Sequence, residues 1–512
     1  MSLSHLVANL VVSLFLMGLL SSPTFLNAAE PEQSQNSLQH QIKETARICQ
    51  PSIVAVFRLS PSSDLSLTAD PLEDWLENRD GALLPVDAGG GIIVGIDADK
   101  QRLQVLTNFH FLNHSSSESA DVVVKCSHWP GLKTRVVGAD PVSQFAVLEA
   151  DLPDRFPLDS LKSAELKEGT NIEQGEFSLL FSDPVALARQ GTSGLGTAII
   201  RRVGWRQQSI SNTDLQQPLH ALFRVWMDRL PESTATGSPV INMQGKLLGL
   251  VAALDKENVS GEGLEVLPIT PQTIRIINDL KQGLEPQYGF LGLTVRRARV
   301  EELSLLPQND PEISARFPQS ILGAVRIESV PENFPLTKEE LAVGDLILAL
   351  NQSSMIHHPD IFYGLIEQTP PGETIQMTLW RRRTREIADV TVHSVPFPHS
   401  AASLGIYTAR REPAWRGMYV SSASPEVLKS DPSQPSDKSR FRFRKGVLVT
   451  AVEKGSPAEV TGIQQGDLIE RVGEREILNP ADFHDAVQSW TNDTPLTISG
   501  RASEVFVPVQ ER

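Results

Sequence analysis

Gly323-Ala324-Val325-Arg326-Ile327-Glu328-Ser329-Val330, followed by Val343-Gly344-Asp345-Leu346-Ile347-Leu348-Ala349-Leu350, recurs as Gly446-Val447-Leu448-Val449-Thr450-Ala451-Val452 and Gln465-Gly466-Asp467-Leu468-Ile469-Glu470-Arg471-Val472. Self-similarity of this kind marks a duplicated structural unit. Each copy continues into a Pro-started helix, over Pro359 to Gln368 and Pro480 to Trp490. Phe483, Val487 and Trp490 fall on one face of the second helix, as a helix covering a small barrel requires. Two related modules of about 100 residues each account for the C-terminal part of the chain. The second carries a Ser, Pro, Asp and Lys-rich insertion near residues 421–440 that reads as a flexible loop.

Upstream the pattern changes. From Ser52-Ile53-Val54-Ala55-Val56-Phe57 to about residue 270, short β-rich runs such as Gly91 to Gly95, Ala120 to Lys125 and Leu247 to Ala252 are broken by Gly, Asp and Pro. Many short strands with little helix imply antiparallel barrels or a sandwich. Residues 61–88 read as a long surface loop, 41–49 as a short helix, and the polar stretch before residue 40 as a mobile segment. Ile274, Ile276, Ile277 and Leu280 have helical spacing, and Gly283 stops that helix at the end of the β-rich region.

With 512 residues the chain exceeds one core and suggests about three domains. Its formal charge of -16 argues against non-specific nucleic-acid binding, which needs a basic face. The basic runs Arg381-Arg382-Arg383 and Arg440 to Lys445 read as solvated hairpins or loops. The first 29 residues contain no Asp, Glu, Lys or Arg, and the apolar run Leu6 to Leu20 precedes Asn27-Ala28-Ala29, a site for signal-peptidase cleavage. That run is short for a bilayer span of about 20 residues, so a cleaved export signal is expected, with a retained anchor as the alternative. Membrane association would follow only if the signal stays uncleaved. In an oxidising compartment Cys49 and Cys126 have two fates, a disulfide or two buried free thiols. Two thiols without clustered His build no zinc site, and no cofactor is expected.

Three stretches carry the chemistry: Leu106-Thr107-Asn108-Phe109-His110, Asp140-Pro141-Val142-Ser143-Gln144-Phe145-Ala146-Val147-Leu148 and Thr234-Ala235-Thr236-Gly237-Ser238-Pro239. With Gly455-Ser456-Pro457-Ala458 through Gly466-Asp467-Leu468-Ile469, and in this order, they resemble the HtrA/DegP family from about residue 45 onward. Weaker echoes are Thr192-Ser193-Gly194, Asp228 and Pro268. The resemblance implies a mainly β fold, a trypsin-like double β-barrel followed by two PDZ domains. It also implies a partition into a signal peptide (1–29), a protease-type domain (30–283), a first PDZ domain (284–396) and a second (397–512).

The same resemblance places the catalytic histidine on His110, the acid on Gln144 and the nucleophile on Thr236. Thr234 and Ala235 fall on the oxyanion-loop positions. A triad needs a carboxylate to orient the imidazole and stabilise the imidazolium, and a neutral amide in that place lowers turnover about 10⁴-fold. The methyl of Thr236 crowds attack, and threonine nucleophiles are usually activated by an N-terminal amine, which a mid-chain residue lacks. A β-branched residue at 234 makes the glycine-type backbone of an oxyanion loop costly. Asp140, the nearest acid, matches the turn residue of a G-x-D-P segment.

PDZ domains add a peptide as a strand to a sheet edge and grip its terminal carboxylate with loop N–H groups. Phe290, Leu291, Gly292 and Leu293 resemble that loop in the first module, and Leu404, Gly405 and Ile406 in the second. The implied protein is an exported captor of peptides or misfolded envelope proteins with an inert triad. The alternatives are an endopeptidase using Thr236 and His110, and an inert scaffold subunit in a mixed protease oligomer. Trimers are implied by the resemblance alone.

Overall fold

The structure is a computed structural model. It describes residues 30–59, 88–112, 121–126, 129–153, 156–167, 172–208, 220–228, 235–252, 263–307, 315–317, 321, 323–330, 341–351, 353–354, 356–397, 407–408, 415–423, 426–428, 440–442, 445–477, 480–488 and 490–509. The expected signal segment, the long loop after Leu59, Thr234, and Leu404 to Ile406 lie outside the described residues.

The chain divides into two compact units, residues 1–48 and 49–512. In the first, helix α1 runs from Glu30 to Cys49. It begins well before the short helix expected at 41–49, over a stretch rich in Glu and Gln, which are good helix formers.

The second unit opens with β1 (Ile53–Leu59), β2 (Ala88–Asp97), β3 (Arg102–Asn108), the one-turn helix α2 (Phe109–Leu112), β4 (Asp121–Lys125), β5 (Leu132–Asp140) and β6 (Phe145–Asp151). These strands pair antiparallel in the order β5-β4-β1-β2-β3-β6, and β5 also pairs with β6, which closes the ring. Alternate residues Val54, Val56, Leu103, Val105 and Leu148 fill its interior. A second closed barrel follows from β7 (Phe177–Ser182), helix α3 (Pro184–Gln190), β8 (Gly194–Gln208), β9 (His220–Met227), β10 (Pro239–Asn242), β11 (Leu247–Val251) and β12 (Leu264–Pro268). Closure leaves no free sheet edge. The fold is therefore mainly β with a trypsin-like pair of barrels. Helix α4 (Pro271–Gln282) is capped by the Thr270 side chain and ends at Gly283, whose φ of 70° lies in the left-handed region. It is the helix expected around Thr273 to Leu280.

The repeat is legible in the strand order. The first module contains β13 (Gly289–Phe290), β14 (Thr294–Arg297), helix α5 (Val300–Leu303), β15 (Val325–Ser329), β16 (Leu346–Leu350), β17 (Ser353–Ser354), helix α6 (Pro359–Gln368), β18 (Thr374–Arg381), β19 (Glu386–His393) and β20 (Val395–Pro396). After β21 (Tyr407–Thr408), the second contains β22 (Met418–Ser422), β23 (Glu426–Leu428), β24 (Arg440–Arg442), β25 (Val447–Val452), helix α7 (Pro457–Val460), β26 (Leu468–Val472), β27 (Arg475–Glu476), helix α8 (Pro480–Gln488), β28 (Thr494–Ile498) and β29 (Val505–Val507).

The sheet orders are β14-β15-β16-β18-β19 and β22-β25-β26-β28-β29, with β17 and β27 as matching side strands. Register agrees residue for residue: Val325 faces Ile347 and Val447 faces Ile469. Each Gly-Asp pair makes the same turn. Gly344 N–H donates to Ile327 O and Gly466 N–H to Val449 O, at 2.9 and 2.8 Å, while Ile327 and Val449 donate back to Asp345 and Asp467.

Two expectations need correction, and the open question of the cysteines has an answer. Helix α8 stops at Gln488, so Trp490 lies beyond it, 37% exposed, with its indole over Gly473. The ends of the insertion are not loop, since Glu426–Leu428 pairs with Arg440–Arg442. The two thiols are both free and buried, so no disulfide joins them. The run at Arg381 does sit at a hairpin, Arg381 facing Glu386.

Burial pushes the Cys126 thiol up to about 12, and thiolate is the reactive form. Thiol titration is expected to count both cysteines only after denaturation, with Cys126 unlabelled in the folded chain. Rapid labelling of Cys126 in native protein would contradict this packing.

Candidate functional site

The three segments at the triad-equivalent positions are joined through their backbones. Gln144 O accepts the N–H of Phe109, next to His110, at 2.7 Å, and Gly90 N–H donates to Thr236 O at 2.9 Å. Gly90 O in turn accepts the Thr107 hydroxyl at 2.8 Å. Asn108 reaches across to the second barrel, its Nδ2 donating to Val251 O at 3.3 Å while its Oδ1 accepts the His110 N–H at 2.8 Å. Val251 O also accepts the N–H of Gly237 at 2.9 Å. The fold therefore brings His110, Gln144 and Thr236 to the seam between the barrels. His110 and Thr236 are half-buried and Gln144 is 7% exposed.

Asp140 is committed elsewhere. Its Oδ1 accepts the Val142 N–H and its Oδ2 the Ser143 N–H, each at 3.0 Å, and the Tyr288 hydroxyl donates to Oδ2. These bonds build the turn that delivers Gln144 with a φ of 67°, a left-handed backbone uncommon outside glycine. Ala235 is buried and its carbonyl accepts the Ser238 N–H at 3.1 Å. The Ser238 hydroxyl is fully buried with no hydrogen-bond partner among the described residues, so no base is in place to activate it.

In the first module, Phe290, Leu291, Gly292 and Leu293 all lie buried, and Gly292 has a φ of 67°. Leu291 and Leu293 enter the module core. For the second module the structure points to a different loop from the one expected. The strand directly after Leu404-Gly405-Ile406 is β21, which pairs with Gly138 and Ala139 of the first barrel. The edge strand of the second sheet starts at Met418. Both edge strands carry a bulge, between Thr294 and Val295 and between Tyr419 and Val420. Counting back from it sets Arg416-Gly417-Met418 against Leu291-Gly292-Leu293, with Gly417 at φ 84° and Met418 in the core. Leu404-Gly405-Ile406 lie outside the described residues, and the Gly before the alternating run Met418-Tyr419-Val420 marks a second candidate for this loop.

Residues 448–498 match the family model described as PDZ domain. Two closed barrels, the seam described above and this C-terminal module define a trypsin-fold serine protease homologue carrying a PDZ domain. The chain is 23% identical over 432 residues to a protein named "Probable periplasmic serine endoprotease DegP-like" from Pseudomonas putida strain W619, covering 83% of this chain and 79% of that one. A protein of the same name from Brucella suis biovar 1 is 21% identical, over 80% of this chain and 70% of its own length. Among solved structures, one titled "HtrA-type protease AlgW with decapeptide" is 17% identical with a TM-score of 0.43, covering 70% of this chain and 99% of that one. The chain is thus similar over most of its length to HtrA/DegP-like serine proteases, relatives whose names place them in the periplasm.

Sequence reasoning missed a buried polar junction between the barrels and the first module. Glu367 of α6 accepts the Ala221 N–H at 2.9 Å, and its other oxygen lies 3.3 Å from His220 Nδ1. His220 stacks on Phe397 at 3.9 Å and meets the edge of Tyr288. Gln272 of α4 donates to Glu367 O at 3.1 Å. Burial holds Glu367 well above its ordinary value against the pull of the Ala221 N–H. Burial also pushes His220 down to about 3, with Asp140 opposing. Burial thus works against charge on both members of this hydrogen-bonded pair.

The pH consequence has two signs. His220 favours the unfolded chain as pH falls below 6.5, where free imidazole takes a proton that the buried ring refuses. Glu367 favours it as pH rises above 4.5, where a free carboxyl ionises and the buried one does not. Between those values the two trends oppose one another. Above pH 6.5 only the Glu367 trend persists for this pair, and thermal midpoints are expected to fall until its raised pKa is passed. Glu367→Gln keeps both hydrogen bonds without a titrating group, so its midpoint should decline less over that range. Equal alkaline slopes for the two proteins would show that Glu367 is not held neutral.

Proposed function

We propose that the protein is an exported, non-catalytic HtrA-like captor of peptides or unfolded envelope proteins. The observation that carries this reading is the commitment of Asp140. The acid nearest to Gln144 in the chain is tied to Tyr288 and to two turn amides, which leaves a neutral amide at the position where catalysis needs a negative charge. Thr236 stands at the nucleophile position with a secondary alcohol in place of a primary one. Strand addition at a sheet edge uses neither residue, so peptide capture survives without acyl transfer.

In this reading residues 1–29 are a cleaved export signal, 30–283 form the inert protease-type domain, and 284–396 and 397–512 are PDZ domains. Assembly is through the barrel domain, as a homo-oligomer or with active relatives. The peptide's carboxylate is taken by the backbone N–H groups of Arg416 and Gly417, the Met418 N–H being held by Trp415 O at 3.0 Å.

Purified protein is expected to leave unfolded casein intact in a gel assay. Thr236→Ser alone should not restore cutting, because Gln144 still withholds a factor of about 10⁴ in turnover. Robust wild-type proteolysis that disappears in His110→Ala would overturn the proposal.

A further inference from the structure

We infer that the first module's peptide groove is plugged by its own helix, with the Tyr363 hydroxyl standing where a bound chain's carbonyl would be, so that the second module alone takes C-terminal peptides. This rests on the peptide-capture reading above and adds which module performs it.

Strand addition requires edge N–H groups that are free to meet a peptide carbonyl. β14 is the edge of its sheet, paired only with β15. The Val295 N–H points away from β15 and donates to Tyr363 Oη at 3.1 Å. Tyr363 lies on α6, and its helix neighbours Phe362 and Ile366 enter the module core. Its side chain therefore spans the gap between helix and strand that an added chain would enter. The phenol supplies the oxygen acceptor that a peptide backbone would otherwise bring.

The helix is also held from behind. A Cβ on Gly364 would lie 2.1 Å from the Trp205 ring of β8, so the backbone of α6 sits directly on that indole. One turn on, Glu367 is locked to Ala221 and His220 of β9. Widening the groove by moving α6 would break both contacts.

The second module repeats the strand order with other residues at these helix positions. Aligning the helices from Pro359 and Pro480 sets Tyr363 against His484, Gly364 against Asp485 and Glu367 against Gln488. Asp485 and Gln488 are exposed, whereas Gly364 and Glu367 are buried. The outer face of α8 thus meets solvent where α6 meets a barrel.

Amide hydrogen exchange on the full chain tests the plug without any ligand. Val295 is expected to exchange slowly in wild type and about tenfold faster in Tyr363→Phe, with the β15 amides unchanged. Free exchange at Val295 in wild type, or no change in the variant, would overturn the inference. A second arm titrates a fluorescein-labelled peptide ending in valine with a free carboxylate. One peptide per wild-type chain, rising to two in Tyr363→Ala, supports it; two in wild type, or one in both, overturns it. Absence of binding in both proteins counts against peptide capture itself, and the exchange result still decides the plug.

Discussion

The Asp140 carboxylate organises the molecule beyond its own turn. By accepting the Val142 and Ser143 N–H groups it bends the chain between β5 and β6, and by accepting the Tyr288 hydroxyl it ties the first barrel to the start of the first module. Buried carboxylates persist only where their lone pairs are filled, and Asp140 is completely buried with both oxygens occupied. One carboxylate thereby holds both a turn and a linker, and the turn it holds is the one that carries Gln144.

From Tyr288 the junction continues through His220 and Phe397 to Glu367, and everything along it is neutral or tightly bonded. A buried ion pair at Glu367 and His220 would repay its desolvation only with excellent geometry. Burial disfavours charge on either group, and the hydrogen bond between them is kept. The result is a directional contact between helix α6 and strand β9 that apolar packing alone would not specify. This is why the first module has a defined seat on the barrels.

The repeat, both Pro-started helices, the helix around Ile274 to Leu280 and the barrel strands were legible because each is a local pattern of period or capping. Helix α6 was legible to its ends, Pro359 and Gln368. What stayed hidden arises between distant segments. His220 opens a β-rich run and Glu367 ends an amphipathic helix. Nothing local tells that they meet across 147 positions of chain. Leu404-Gly405-Ile406 could not show that the next strand, β21, would pair with the first barrel, because a three-residue pattern does not say which sheet a strand will join. Trp490 matched the helical period yet fell past the last helical residue, where the chain crosses Gly473 instead of covering the core. The order of His110, Gln144 and Thr236 was legible, but not the bonds that tie Asp140 to its turn and to Tyr288.

Side-chain chemistry and backbone architecture are separable at the seam between the barrels. The contacts that shape it run through Gly90, Thr107, Asn108 and Gly237, and each of these is intolerant of change for a packing reason. A Cβ on Gly90 would lie 2.6 Å from Ser238 Cα, and one on Gly237 would lie 2.5 Å from Gly90 O at a φ of 80°. Thr107 and Asn108 are fully buried and hydrogen-bonded to main chain across the seam. Gln144 and Thr236 also enter this architecture through main chain, their carbonyls accepting the Phe109 and Gly90 N–H groups. The barrels' mutual seat therefore rests on buried glycines, on Thr107 and Asn108, and on backbone bonds, atoms other than those that the side chains of His110, Gln144 and Thr236 present to a bound chain.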